Sequence, residues 1–360
     1  MLKIIDKYII KQFVQTALFA LLTFILIFVL IDMMEKLGSF IDQGVPFKTI
    51  LDYYFYFIPE IIRLMLPVSI LLATLFTVGK LSTQNELTAI QSAGVSFVRF
   101  TIPFLIATFV ISLSAIYFGG FVVPKANKQR ISIEQNDLKK GLVYSGSNIY
   151  FQDKTNRIVT ISYFNIKQNI ANRISIQEFD IEDPTKMIYR VDAKQMFYDS
   201  TSNWIAKNGV QRFFSDKKDS AKTFSELTIS DLNFSPEDVI QKQKKPAEMT
   251  LTELKNYAAV QLETGNNPTR IEIEYHSRIA FAFASFVVVL FGVTISANKR
   301  KGGIAIQFGI NILIVFIYLV FMKLSQAFGK NGVLDPLLTA WIANIVFLSA
   351  GVFNLIRLKK

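Results

Sequence analysis

The chain has 360 residues, of which 51% are hydrophobic and none is cysteine, with 39 Lys and Arg against 28 Asp and Glu. The absence of cysteine excludes a disulfide framework and any thiolate metal site. The net charge of +11 would suit a nucleic-acid binder, but the basic residues flank long apolar runs, which argues for a membrane protein with charged loops and against nucleic acid as a partner.

A run of about 18 or more mostly apolar residues can cross the ~30 Å hydrocarbon core as a helix. Six such runs stand at residues 12–32, 53–78, 100–122, 278–297, 304–325 and 336–356. Lys3, Lys7 and Lys11 precede the first run, and MMEKLGSF after it offers no small-x-small cleavage site. The first run therefore reads as an uncleaved anchor. Lys36 follows it and has two readings: a side chain that snorkels to the interface, or a cation facing phosphates at the mouth of a cavity. In the second run, Glu60 and Arg63 lie three residues apart in IPEIIRLMLP and so share one helix face. They form either an internal ion pair near an aromatic belt of Tyr53, Tyr54 and Tyr56, or a charged cavity wall with Arg63 toward an anionic headgroup.

Between the second and third runs stands KLSTQNELTAIQSAGVS, residues 80–96. Thr83 and Glu86 have capping-box spacing, and Gly94 suits the stop of a helix of about residues 84–93. This segment is either an interfacial connector or a docking helix that fits a groove on a cytoplasmic partner.

After Pro124 the chain turns polar, and period-two stretches follow: LVYSGSNIYFQ, RIVTISYFNI, RISIQEFDI, KMIYRVDAKQMFYDS, NWIAKNGVQRFF and TFSELTIS. Their aromatic and β-branched alternation predicts an all-β sandwich or roll over residues 124–249. Residues 250–264 then predict an amphipathic helix, with Thr250 and Glu253 as a capping box and a stripe of Leu251, Leu254, Tyr257, Ala258 and Leu262. GNNPTR makes the turn before the fourth run. Lys323, near the end of the fifth run, has the same two readings as Lys36.

An even number of spans puts both termini on one side. The N-terminus, the 79–99 and 298–303 loops and the C-terminus carry most of the flanking Lys and Arg, so that side is expected to be cytoplasmic and the β domain periplasmic. No phosphate-binding loop is present, since Gly79-Lys80 lacks the upstream glycine spacing. The single histidine, His276, excludes an H-E-x-x-H site and reads as an interfacial side chain. No catalytic residue, metal site or cofactor of the chain's own is expected.

Several stretches resemble the LptF/LptG family, the membrane permeases of lipopolysaccharide export. They are IDKYIIKQF (5–13), Pro59, LPVSILLATLFTVGKLSTQNELTAIQSAGVS (66–96), Val123-Pro124 and LTELKNYAAVQLETGNNPTRIEIEYHSRIAFAFAS (251–285). Ala343 in WIAN replaces a proline frequent in that family, and Glu35 stands beside Lys36 where the family is often lysine-rich. The resemblance implies a fold of six transmembrane helices in two sets of three, with an inserted periplasmic jelly-roll-like β domain. The implied divisions are 1–123, 124–249, 250–276 and 277–360.

The resemblance also implies partners: a homologous permease subunit in a heterodimer, two copies of a cytoplasmic ABC ATPase holding ATP and Mg, a single-span periplasmic jelly-roll protein, and lipopolysaccharide itself. The ATPase contacts would be Glu86, Leu87, Ile90 and Gly94, and the substrate-cavity candidates Lys36, Glu60, Arg63 and Lys323. The competing readings are a non-transporting membrane scaffold whose β domain binds a partner, and an intramembrane enzyme, which lacks paired acids or histidines in facing spans.

Overall fold

A computed structural model of the protein describes residues 3–138, 149–165, 168–199, 203–215, 219–232, 234–236, 239, 246–263, 267–296 and 303–357. The loop residues Lys299, Arg300 and Lys301, the terminal Lys359 and Lys360, and the start of the GNNPTR turn lie outside these. The chain forms two units: a helical one of Met1–Ile133, Thr250–Leu254 and Thr269–Lys360, and a second of Glu134–Met249 and Lys255–Pro268.

The helical unit opens with α1 (Ile4–Asp42) and α2 (Phe47–Thr83), followed by the short α3 (Glu86–Ser92). Next come α4 (Phe97–Tyr117), a π-helical turn at Phe118–Val122 and α5 (Val123–Asn136). The amphipathic α6 (Leu251–Glu263) is divided between the two units after Leu254, and the helical unit resumes with α7 (Thr269–Ala282), α8 (Ala284–Ser296), α9 (Gly303–Lys330) and α10 (Pro336–Arg357). Among the described residues, six stretches are long and apolar enough to cross a membrane: Ile4–Asp42, Phe47–Thr83, Phe97–Gln135, Thr269–Ser296, Phe308–Lys330 and Pro336–Arg357. At 39 and 37 residues α1 and α2 are about 55–60 Å long, so they tilt within or project from a ~30 Å apolar layer.

α8 is the centre of this unit, with eleven of its thirteen residues buried. Val289 and Val293 close one core with Ile9 and Phe13 of α1, Ile70 and Leu81 of α2, and Phe100 and Phe104 of α4. Ala284, Val287 and Phe291 close another with Tyr318 and Met322 of α9 and Ala343 of α10. α1 lies at the rim: only 11% of its most apolar window is buried, and Leu18, Phe19, Leu22, Leu26 and Leu30 are exposed.

The third span runs further than its hydropathy predicts. The helix does not end at Pro124 but continues to Asn136, and the second unit begins at Glu134. Proline cannot donate a backbone bond, and an α-helix normally breaks there. Here the π-turn just before it shifts the ladder to i→i+5 bonding, seen as Val123 N–H donating to Phe118 O, which lets the helix pass the proline.

The second unit holds one six-stranded antiparallel sheet in the order β1–β2–β3–β4–β5–β6. The strands are Ile149–Lys154, Arg157–Asn165, Ile170–Phe179, Met187–Tyr198, Trp204–Phe213 and Ser220–Ile229. All six predicted strands are present, in a meander of one sheet. Val159, Ile161, Ile176, Val191, Met196 and Trp204 form its core, and the Trp204 indole donates to Phe234 O at 2.7 Å. A crease crosses the sheet. Ser162, Arg173, Lys194 and Asn208 drop out of the strand register, and Arg173 and Asn208 have φ of +50° and +53°. Across it the buried parity reverses, from Ile161, Ile174 and Ala193 to Phe164, Ala171 and Met196.

The edge of the sheet is tied by Arg157, whose side chain is 8% exposed. It reaches Asp231 at 2.8 Å, Glu178 at 3.0 Å and Asp153 at 3.4 Å. Hydrogen bonding from Arg157, opposed by burial and aided by Lys154, lowers the Asp231 carboxyl to about 2.

Candidate functional site

The loop between the second and third spans folds as a rigid turn and helix. α2 continues to Thr83, the chain reverses through Asn85 at φ +59°, and α3 runs from Glu86 to Ser92. The predicted capping box is not formed. The Thr83 hydroxyl donates to Lys80 O, one turn back in α2, and Glu86 accepts from the Tyr8 hydroxyl of α1 at 3.2 Å. α3 starts only at Glu86 with Asn85 at the cap position, and Thr83 is still the last residue of α2. At the other end the predicted stop is present. Gly94 has φ +84°, its N–H donates to Gln91 O at 2.9 Å, and the Val95 N–H donates to Ile90 O at 3.3 Å. These are the paired bonds of a Schellman motif, which glycine permits because a Cβ disfavours positive φ.

Among the residues expected to face a partner, Leu87 is buried in the chain's own core and Ile90 is half-buried. The outward surface of this turn is Asn85, Thr88, Ala89, Gln91, Ser92 and Gly94. A second tie holds the loop. Arg99, in the first turn of α4, donates to the buried Asp6 of α1 at 2.6 Å. In sequence, Asp6 and Arg99 are one acid and one base that each precede an apolar run, and nothing in their spacing pairs them or marks Tyr8.

The charged residues of the spans occupy different neighbourhoods. Lys36 pairs with Asp32 one turn back at 3.3 Å, donates to the Tyr53 hydroxyl and lies over the Tyr53 ring. Lys323 is exposed on α9 beside Leu324. Glu60 and Arg63 form the ion pair that their spacing predicts, at 2.5 Å, and the second Glu60 oxygen accepts from Asn127 of α5 at 3.2 Å. Arg63 also lines a cavity of about 340 Å³ between α2, α4 with its π-turn, and α7. Arg278 lines the same cavity, is buried, and donates to Glu274 at 3.1 Å. Asn127 falls in the stretch that reads as the start of the β domain, and Arg278 opens the fourth run; neither position by itself announces a buried helix face.

A further polar contact joins three helices. Asn344, in WIAN, accepts from the Tyr318 hydroxyl at 2.6 Å and donates to Ala280 O at 2.8 Å. His276 is half-buried with its ring against Tyr275. Among the described residues, no three His, Asp or Glu side chains are grouped to hold a metal ion.

A family profile described as lipopolysaccharide export system permease LptF/LptG matches residues 7–357. The lipopolysaccharide export system permease protein LptF of Escherichia coli K12 is 22% identical over 369 residues, covering 97% of this chain and 93% of that protein. The corresponding LptG of Haemophilus influenzae is 21% identical over 359 residues, covering 97% of each. An uncharacterised protein of Rickettsia prowazekii is 21% identical over 362 residues, covering 98% of each.

Proposed function

The chain belongs to the LptF/LptG family of lipopolysaccharide export permeases, and from that premise we propose that it is a membrane subunit of an ATP-driven lipopolysaccharide exporter. The observation that carries this reading is the family match over 7–357, which takes in the spans, the sheet and the α3 loop together. Two such permeases pair in the bacterial inner membrane, as relatives named LptF and LptG suggest. The loop that carries α3 meets a separate cytoplasmic ABC ATPase, two copies per permease pair. Its contacts are Glu86, Ile90 and the exposed face around Ala89, with Gly94 fixing the helix end and Leu87 anchoring the helix from inside. Both termini are cytoplasmic, and the sheet unit hands lipopolysaccharide to a single-span periplasmic jelly-roll protein.

What supports the α3 assignment is its bracing: a seven-residue helix is too short to persist alone in water, and here Leu87, Tyr8 and the Schellman bonds hold it to the bundle. A rigid knob of this kind transmits a push without first having to order itself. The test is affinity purification of the tagged chain from mild detergent with its genomic neighbours intact. A nucleotide-binding subunit is expected to co-elute, and Ala89→Asp is expected to lower its recovery at least tenfold without changing the yield of the chain. Co-elution without any such subunit would sink the exporter reading; unchanged recovery with Ala89→Asp would sink the α3 assignment.

A further inference from the structure

The cavity that Arg63 and Arg278 share lies inside the helical unit of a single chain. Its walls are Ile62, Leu66 and Pro67 of α2, Ile111 and Ala115 of α4, Val122 of the π-turn and Phe281 of α7. Two exposed residues, Ser114 and Tyr117, stand on its lining, so it opens sideways from a membrane-spanning helix. What enters from that side comes from the lipid. At about 340 Å³ the cavity is at the small end of the range for ligand pockets.

The lining is polarised along the spans. Arg63 lies toward the Phe47 end of α2, Gly119 and Val122 toward the Asn136 end of the third span, and Arg278 toward the Thr269 end of the span Thr269–Ser296. Pro67 of α2, Ile111 of α4 and Ser285, in the first turn of α8 and the same span as α7, lie in the opposite direction. The charged end is also one-sided. Arg63 and Arg278 line the cavity, whereas Glu60 and Glu274, which pair with them, do not. Arg63 gives Nη2 to Glu60, and its Nε is buried with no partner. A guanidinium carries five N–H donors, so donors remain. Gly119 lies against the Arg63 stem: a Cβ there would make van der Waals contact with Arg63 Cδ at 3.4 Å. The π-turn thus brings a residue without a side chain against the arginine stem at the level where the cavity widens the bundle.

We propose that this cavity is a site for one membrane acyl chain with an anionic head, the chain lying between α2, α4 and α7 and its carboxylate or phosphate accepting from Arg63 beside Arg278. Arg63 has more N–H donors than its pair with Glu60 takes, and the oxygens of an anionic head can accept from those left over. Apolar walls match a hydrocarbon tail, and the order of head and tail matches a lipid of the leaflet nearest Asn136 and Thr269. The site goes beyond the export reading, because it is complete within one chain and needs neither a second permease nor an ATPase.

The test uses the full chain purified and stripped of lipid in detergent, then offered palmitate or dipalmitoyl phosphatidylglycerol, with retention read by native mass spectrometry. Wild type is expected to retain one more equivalent than Ala115→Trp, which fills the wall, while Leu113→Trp on the outer surface behaves as wild type. Arg63→Lys keeps the charge and the Glu60 pair but loses the planar fork, and is expected to bind about tenfold more weakly. Dependence on Ala115 and Arg63 for palmitate alone identifies a free fatty acid as the occupant; dependence for the phospholipid alone identifies a diacyl lipid. Should Ala115→Trp fail to fold, Ser285→Val narrows the floor with less added volume. Equal retention of both probes by wild type and a folded cavity-filling variant would overturn the site, and equal retention by Arg63→Lys would overturn the role of the arginine.

Discussion

Leu87 and Glu86 are neighbours in a loop helix, and the structure separates their work. Leu87 is 3% exposed and packs with Leu81, Phe13 and Phe100. Leu87→Ala is therefore expected to cost about 2–4 kcal/mol of stability, seen as a lower unfolding midpoint of the detergent-solubilised chain, whereas Ala89→Asp on the exposed face leaves the midpoint unchanged. A charged substitution at Leu87 would unfold the loop before it tested any docking. Glu86 is not a cap: its carboxylate meets Tyr8 across 78 residues of sequence. Capping-box spacing was legible, but spacing does not say where the preceding helix ends. The apolar run of α2 carries helix to Thr83, and the box has no room to form. Gly94 was legible because positive φ at a helix end has a residue type of its own.

At the scale of elements, the strands were legible because half-buried strands alternate with period two: β2, β4 and β5 match to within one or two residues, while β3 and β6 start three residues earlier than read. The crease was not. Strict alternation from Ile161 would bury Tyr163, yet Tyr163 is exposed and Phe164 is buried, because Ser162 and Arg173 leave the register together. Nothing in a single strand announces that its neighbours will bend at the same level. The tie at the sheet edge carries a pH signature. The folded Asp231 carboxyl is lowered to about 2, against about 3.9 when unfolded. A lowered carboxylate contributes stability that is fully present above the unfolded value and is lost as pH falls toward the folded one. The sheet unit is thus expected to lose stability between roughly pH 4 and 2, and Asp231→Asn to flatten that loss. Near-neutral and acid denaturant titrations of the full chain, followed by Trp204 fluorescence, measure it. A slope in the variant equal to that of wild type would remove Asp231 from the account.

On the scale of the whole molecule, the six spans and the inserted sheet follow from apolar length and alternation, and the family match over 7–357 agrees with that plan. Which span is central did not follow, because residues 284–296 are no more apolar to the eye than residues 12–32. Burial distinguishes them: 67% of the most apolar window of Thr269–Ser296 is inside, against 11% for α1. Small residues explain part of it, since Ala284, Ser285 and Gly292 let neighbouring helices approach α8. A fragment of residues 1–249 is accordingly expected to be degraded when expressed alone and rescued when residues 250–360 are supplied as a separate chain, with protease resistance as the readout. Rescue by α9 and α10 without α8 would contradict this. The position of α8 also sets a timetable for synthesis. The helix around which α1, α2 and α4 close is made only after the entire sheet unit has left the ribosome. For that interval the first three spans wait in the bilayer with their centre missing. The cell must therefore protect a half-built bundle for the time it takes to translate more than a hundred residues, and any pause in that stretch lengthens the wait.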